Sequence, residues 1–192
     1  MRAQAARAPT RRGKRKRSRA RAIPAHSVAR RYIQGYVGAF LRDGFGASGL
    51  VLQIAHEIAA ALPEIFRGLR VTQAWAYKYD EAHARGIDAH ADQAKVSVNL
   101  WITDDAANVG GDDAPGGLVV YDRKPPAEWS FAQANSATDD IDAFLEGGGS
   151  VRIPYRWNRC LLFRGERFHR TDALRFRPGY RSRRINVTFL FN

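Results

Sequence analysis

The chain has 192 residues, 45% of them hydrophobic, a net charge of +12 and a mean hydropathy of −0.42. That is enough for one domain with a sizeable core and too little for two. No run approaches the ~18 consecutive apolar residues of a membrane span, and a single cysteine, Cys160, excludes an intrachain disulfide framework.

The positive charge belongs to one end. Residues 1–31 hold 12 of the 31 Lys and Arg and no acid, which leaves 19 basic against 19 acidic residues in 32–192. Residues 1–22, MRAQAARAPTRRGKRKRSRARA, have almost no large apolar side chain and are expected to form a disordered basic arm. The apolar core of a secretory signal is missing there. Such an arm is either a solvated tail or a weak contact to nucleic acid or another polyanion. A cytoplasmic location is expected, although the Arg-rich start leaves an organelle transit segment open. Within the body, residues 80–146 hold 14 acidic and 4 basic side chains, and residues 152–184 hold 11 basic and 2 acidic ones. If the fold brings these segments together, their charges compensate.

Residues 23–192 are expected to form a single domain that begins with two helices. Ser27 can cap a helix through about Leu41, with Val28, Ile33, Tyr36, Val37 and Phe40 near helical spacing. RDGFGAS then breaks the pattern. Ser48 can cap a second helix that carries Leu50, Val51, Ile54, Ile58 and Leu62 on one face and stops before Pro63. After Gly68 the chain turns to strands. Val71–Tyr79 is one. Lys95–Thr103 is a cleaner one, with Val96, Val98, Leu100 and Ile102 on one face and Lys95, Ser97, Asn99 and Trp101 on the other. Residues 104–116 form a polar loop, 117–121 a short buried strand, 122–136 an irregular stretch, and 138–146 a short helix closed by three glycines. Further strands are expected at 150–155, 159–163 and 184–191. Cys160, in an apolar run, is expected to be a buried free thiol. Helices before many short, two-faced strands suggest a mainly β domain with flanking helices: a small sandwich or barrel whose mixed faces line a cavity.

The stretch HADQAKVSVNLWIT carries the chemistry. His90 and Asp92, two apart at a strand end, point to one side and can reach one ion. Of the other histidines, His26 borders the arm, His56 lies on the second helix and His83 lies in the loop DEAHARG. His169, in FRGERFHRTD just after a strand, is the best placed third ligand. Two imidazoles and a carboxylate on one face of an ion suit high-spin Fe(II), which needs open positions. Zinc is the competitor, but no helical HExxH pair occurs. The acidic loop 104–113 is a further, weaker place for a cation.

In this order the motifs resemble those of the Fe(II)- and 2-oxoglutarate-dependent oxygenases. A tyrosine-bearing strand and HxD pair (YKYDEAHARGIDAHAD) precede a Gly-Gly-Leu segment (APGGLVVYD). A distal histidine (RCLLFRGERFHRTD) and an arginine strand (GYRSRRINVTFLF) follow. The similarity runs from about Val71 to Phe191 and is nearest to a bacterial oxygenase-like subgroup. The resemblance implies a double-stranded β-helix, the jelly-roll or cupin-like barrel. It implies His90, Asp92 and His169 as iron ligands and 2-oxoglutarate and O2 as co-substrates. It also implies Arg184 as the cation for the far carboxylate of 2-oxoglutarate, since a guanidinium makes two parallel bonds to a carboxylate and stays charged when buried. Arg181 and Arg183 are near competitors. Tyr79 matches the tyrosine that bonds the co-substrate, and Asn99 and Asn186 would line the same cavity.

The implied activity is hydroxylation of a small molecule or of a protein or peptide side chain, with 2-oxoglutarate decarboxylated to succinate. The run RINVTF is also similar to the Arg-x-Asn-x-Thr-x-Arg strand of nucleic-acid dealkylases, but Leu190 stands where the last arginine belongs. A non-catalytic jelly-roll that binds metal or sugar is the alternative outside the enzymes.

Overall fold

The computed structural model describes residues 30–33, 35–79, 86–136 and 138–192. The expected arm at 1–22, His26 and His83 fall outside the described residues.

The described residues open with a β-hairpin, not a helix. Strand β1 (Arg30–Ile33) pairs antiparallel with β2 (Tyr36–Phe40), Ile33 opposite Tyr36. The expectation of a helix to Leu41 is therefore corrected over the described residues. Gly35 takes a φ of 93°, a turn conformation open to glycine, and aromatic and β-branched residues flank it, so the chain can reverse there and pair as strands. The second helix, α1 (Leu50–Ala61), is where the apolar spacing put it. Its cap position is Gly49, at φ 73°, rather than Ser48, and no side chain caps it. A short helix α2 (Pro63–Phe66) follows, with proline at its first position, where the missing N–H costs nothing.

Strand β3 (Val71–Tyr79) matches its expected bounds, and β4 (Val96–Trp101), β5 (Leu118–Tyr121), α4 (Thr138–Leu145), β6 (Ser150–Ile153), β7 (Cys160–Phe163) and β9 (Ile185–Phe191) lie within theirs. A short helix α3 (Gln133–Ser136) and strand β8 (His169–Thr171) were not anticipated. A three-residue strand is too short to show alternation.

The strands form two antiparallel sheets, ordered β1-β2-β3-β9-β4-β7 and β6-β5-β8. The larger sheet has an apolar outer face covered by helix: Ala74, Val98, Val187, Phe189 and Phe191 pack with Val51, Ala55 and Phe66. This places Val96, Val98 and Leu100 outward and Ser97, Asn99 and Trp101 inward, as the alternation on β4 required. Between the sheets Trp101, Leu118, Tyr155 and Phe176 form a second core. A third, with Ile141, Leu145 and Phe168, packs α3 and α4 against Ala89 and Ala91 beside the HxD pair.

Two expectations need adjustment. Cys160 is exposed, because it sits at the outer end of edge strand β7. The acidic and basic segments do interleave, β5 lying between β6 and β8. Yet the ion pairs Arg152–Asp172 and Arg164–Glu166 both lie within the basic segment.

Candidate metal centre

The site begins with a backbone pair. The His90 amide donates to the His169 carbonyl (3.0 Å) and the His169 amide donates back (2.9 Å). The two residues are thus directly opposed across an antiparallel bridge, with ring centroids 4.3 Å apart. The HxD segment acts as a rudimentary strand beside β8. Asp92 follows on the same side, its amide bonded to the Gly165 carbonyl (2.9 Å). One ligand atom from each of His90, Asp92 and His169 lies within 4.8 Å of the others, and among the described residues no other His, Cys, Asp and Glu side chains form such a group. In the acidic loop Asp104 accepts the Ala106 amide and Asp105 the Trp157 amide.

Both rings are oriented by carbonyls. His90 Nδ1 is 2.7 Å from the Asp88 carbonyl, and His169 Nδ1 is 2.9 Å from that of Arg167. A carbonyl only accepts, so Nδ1 carries the proton in each ring and a neutral imidazole has its lone pair on Nε2. These are the atoms that face Asp92: His90 Nε2 is 3.9 Å from Oδ1 and His169 Nε2 is 3.5 Å from Oδ2. Two atoms each about 2.1 Å from one ion are at most about 4.2 Å apart, so both separations are within reach of a shared ion. Burial, and next the neighbouring His90, push the His169 imidazole down to about 4, against Asp92 and the Arg167 carbonyl, which pull it up. It is neutral at pH 7 and ready to ligate. Ser97 Oγ donates to Asp92 Oδ2 (2.6 Å) and fixes the carboxylate. Oriented donors of this kind are what ligating histidines and carboxylates have behind them.

These groups line a cavity of about 580 Å³, and all seven residues singled out from the sequence are on its wall: Tyr79, His90, Asp92, Asn99, His169, Arg184 and Asn186. Arg184 is 2% exposed. Its Nε donates to the Gly116 carbonyl (2.7 Å), and Nη2 reaches that of Gly117 at 3.5 Å. Nη1 is buried with no hydrogen-bond partner. The guanidinium lies over the rings of Tyr79 (4.8 Å), Tyr155 (5.7 Å) and Trp101 (5.8 Å). Burial lowers its pKa while Tyr79 and Tyr155 oppose the shift, and an arginine stays charged under such conditions. No ion pair to Arg184 occurs among the described residues. A buried cation with an unused donor on a cavity wall fits an incoming carboxylate. Of the three candidate arginines, Arg181 is exposed and neither it nor Arg183 lines the cavity.

Tyr79 is 2% exposed, with its hydroxyl 3.4 Å from Thr171 Oγ1. Asn186 Nδ2 donates to Thr188 Oγ1 (2.8 Å), which donates to Asn99 Oδ1 (2.8 Å). Sequence reasoning assigned no role to Ser97, Thr171, Thr188 or Gly165. The polar face of β4 was a signal for Ser97, while nothing in the sequence marked Gly165.

No family model matches the chain, and no curated protein matches it in sequence. Solved structures match it in fold. An oxidoreductase of the 2OG-Fe(II) oxygenase family from Burkholderia pseudomallei aligns with a TM-score of 0.54 and 8% identity, over 87% of this chain and 73% of that one. SnoK, a non-heme alpha-ketoglutarate-dependent carbocyclase from nogalamycin biosynthesis, aligns with a TM-score of 0.51 and 15% identity, over 84% and 67%. EctD from S. alaskensis, solved with 2-oxoglutarate and 5-hydroxyectoine, gives 0.53 and 14%, over 89% and 61%. At these identities the likeness is one of architecture: the chain has the jelly-roll core of such oxygenases.

Proposed function

We propose that this chain is an Fe(II)- and 2-oxoglutarate-dependent dioxygenase that hydroxylates a small molecule or a protein or peptide side chain. The observation that carries the reading is the pairing of two features in one cavity. Three convergent ligands leave the rest of an ion's coordination open, and a buried arginine with an unused donor faces the same space. His90, Asp92 and His169 would hold the iron, a donor set that suits Fe(II) with open positions. Bound there with 2-oxoglutarate and O2, the metal supplies the oxidising chemistry, with carbon dioxide and succinate as by-products.

The chain's own residues do the rest. The Asp88 and Arg167 carbonyls hold the imidazoles with Nε2 toward the ion. Ser97 orients the carboxylate. Arg184 takes the far carboxylate of 2-oxoglutarate through Nη1, with Tyr79 stacked against the guanidinium to keep water from it. Leu118, Leu190 and Phe131 give the cavity apolar wall. The unused donor on Arg184 favours an oxygenase over a jelly-roll that binds only metal or sugar. The apolar Leu190, where a nucleic-acid dealkylase pattern has arginine, favours a substrate other than nucleic acid.

The test is anaerobic titration of the protein with Fe(II) and then 2-oxoglutarate. A weak visible absorption band is expected on chelation. His169→Ala should abolish it, and Arg184→Met should weaken 2-oxoglutarate binding by about 2–4 kcal/mol, roughly 30- to 1000-fold. A folded wild-type protein that shows no band and binds no 2-oxoglutarate would overturn the proposal.

A further inference from the structure

Asn99, Thr188 and Asn186 lie on adjacent strands β4 and β9, all line the cavity, and are 5%, 4% and 6% exposed. The Thr188 hydroxyl has a single proton, which it gives to Asn99 Oδ1 while accepting from Asn186 Nδ2. With the two amides oriented in this way, the relay runs from Asn186 to Asn99. One amide is left with its NH2 for the cavity and the other with its carbonyl. The carbonyl is that of Asn186, whose Oδ1 is buried with no hydrogen-bond partner. The NH2 is that of Asn99.

At neutral pH 2-oxoglutarate has only acceptors, the oxygens of its keto group and carboxylates. It can meet Arg184 Nη1 and the NH2 of Asn99, but it has nothing to give Asn186 Oδ1. We propose that Asn186 Oδ1 receives an N–H or O–H of the molecule being oxidised, so that Asn186 is a substrate-specificity residue and not a co-substrate anchor. The substrate class is then one bearing a hydroxyl, amide or amine donor. A molecule without that donor leaves a buried acceptor unmatched, which disfavours it roughly tenfold to a hundredfold. This inference rests on the oxygenase reading above and separates two asparagines that the sequence grouped together.

The test uses the whole chain loaded with Mn(II) in place of iron, titrated calorimetrically with 2-oxoglutarate. Asn186→Leu should bind 2-oxoglutarate within threefold of wild type. Asn99→Leu should bind it at least tenfold more weakly, because a donor to the co-substrate is lost. With 2-oxoglutarate bound, saturation-transfer NMR then compares simple primary amides and alcohols with their N,N-dimethyl and O-methyl forms. The donor-bearing members should bind better to wild type, and the preference should vanish in Asn186→Leu. If wild type binds no 2-oxoglutarate, the oxygenase reading itself falls. If it binds but the two leucine variants are weakened equally or in the reverse order, or no donor preference exists, the role given to Asn186 falls alone.

Discussion

His169 shows what burial does to a single residue. An unfolded histidine titrates near 6.5, and in the fold this one is held down to about 4, first by burial and then by His90. Between those values the unfolded chain binds a proton that the folded chain does not. Stability contributed by this group is therefore full above about pH 6.5 and drains away as pH falls toward 4. Chemical denaturation of the metal-free protein at pH 7 and pH 4.5 should show a loss on acidification. His169→Gln should show a smaller loss, by at most ~3 kcal/mol. Identical losses in the two proteins would mean that His169 is not the responsible group. His169 was legible in the sequence because it follows the strand Cys160–Phe163 at a distance from the HxD pair that lets the chain return to it. Ser97, which holds Asp92, was visible only as a polar residue on a mixed face.

At the scale of elements, the close approach of the β7–β8 connection to the HxD segment decides the geometry. Gly165 gives its carbonyl to the Asp92 amide. A Cβ there would lie 2.6 Å from Ser97 Oγ and 2.7 Å from the Ala94 carbonyl oxygen. Backbone cannot yield as a side-chain tip can, so Gly165→Ala should displace Asp92 and Ser97 together. Metal affinity should fall about 10- to 100-fold, the usual effect of disturbing groups behind ligands. The fold should lose roughly 1–3 kcal/mol. Mn(II) binding followed by electron paramagnetic resonance tests this, and an affinity equal to wild type would contradict it. The opening hairpin is the complementary case. RYIQGYVGAF has apolar residues near helical spacing, but it folds as two strands because β3 offers an edge for β2 to pair along its whole length, from Tyr36 opposite Tyr79 to Phe40 opposite Trp75.

At the scale of the molecule, the site and the charge excess lie in different parts of the sequence. Every residue of the metal centre and of the Arg184 end comes from positions 79–184, while the net positive charge comes from residues 1–31. We expect removal of residues 1–22 to leave metal and 2-oxoglutarate affinities within twofold. Retention of the chain on a polyanion column at low salt should drop, since that attraction counts basic residues and is screened by salt. A tenfold change in 2-oxoglutarate affinity on removal would tie the arm to the cavity.

The sequence alone picked out His90, Asp92 and His169 as side chains able to share an ion, and it showed which faces of the longer strands are apolar. Those follow from residue type and a period of two, both of which are local. Tertiary structure decided how the parts meet: the backbone bridge opposing His90 to His169, the choice of Arg184 over its neighbours, the Gly165 carbonyl under Asp92 and the direction of the Asn186–Thr188–Asn99 relay. Each depends on contacts between segments distant in sequence, which no local pattern encodes.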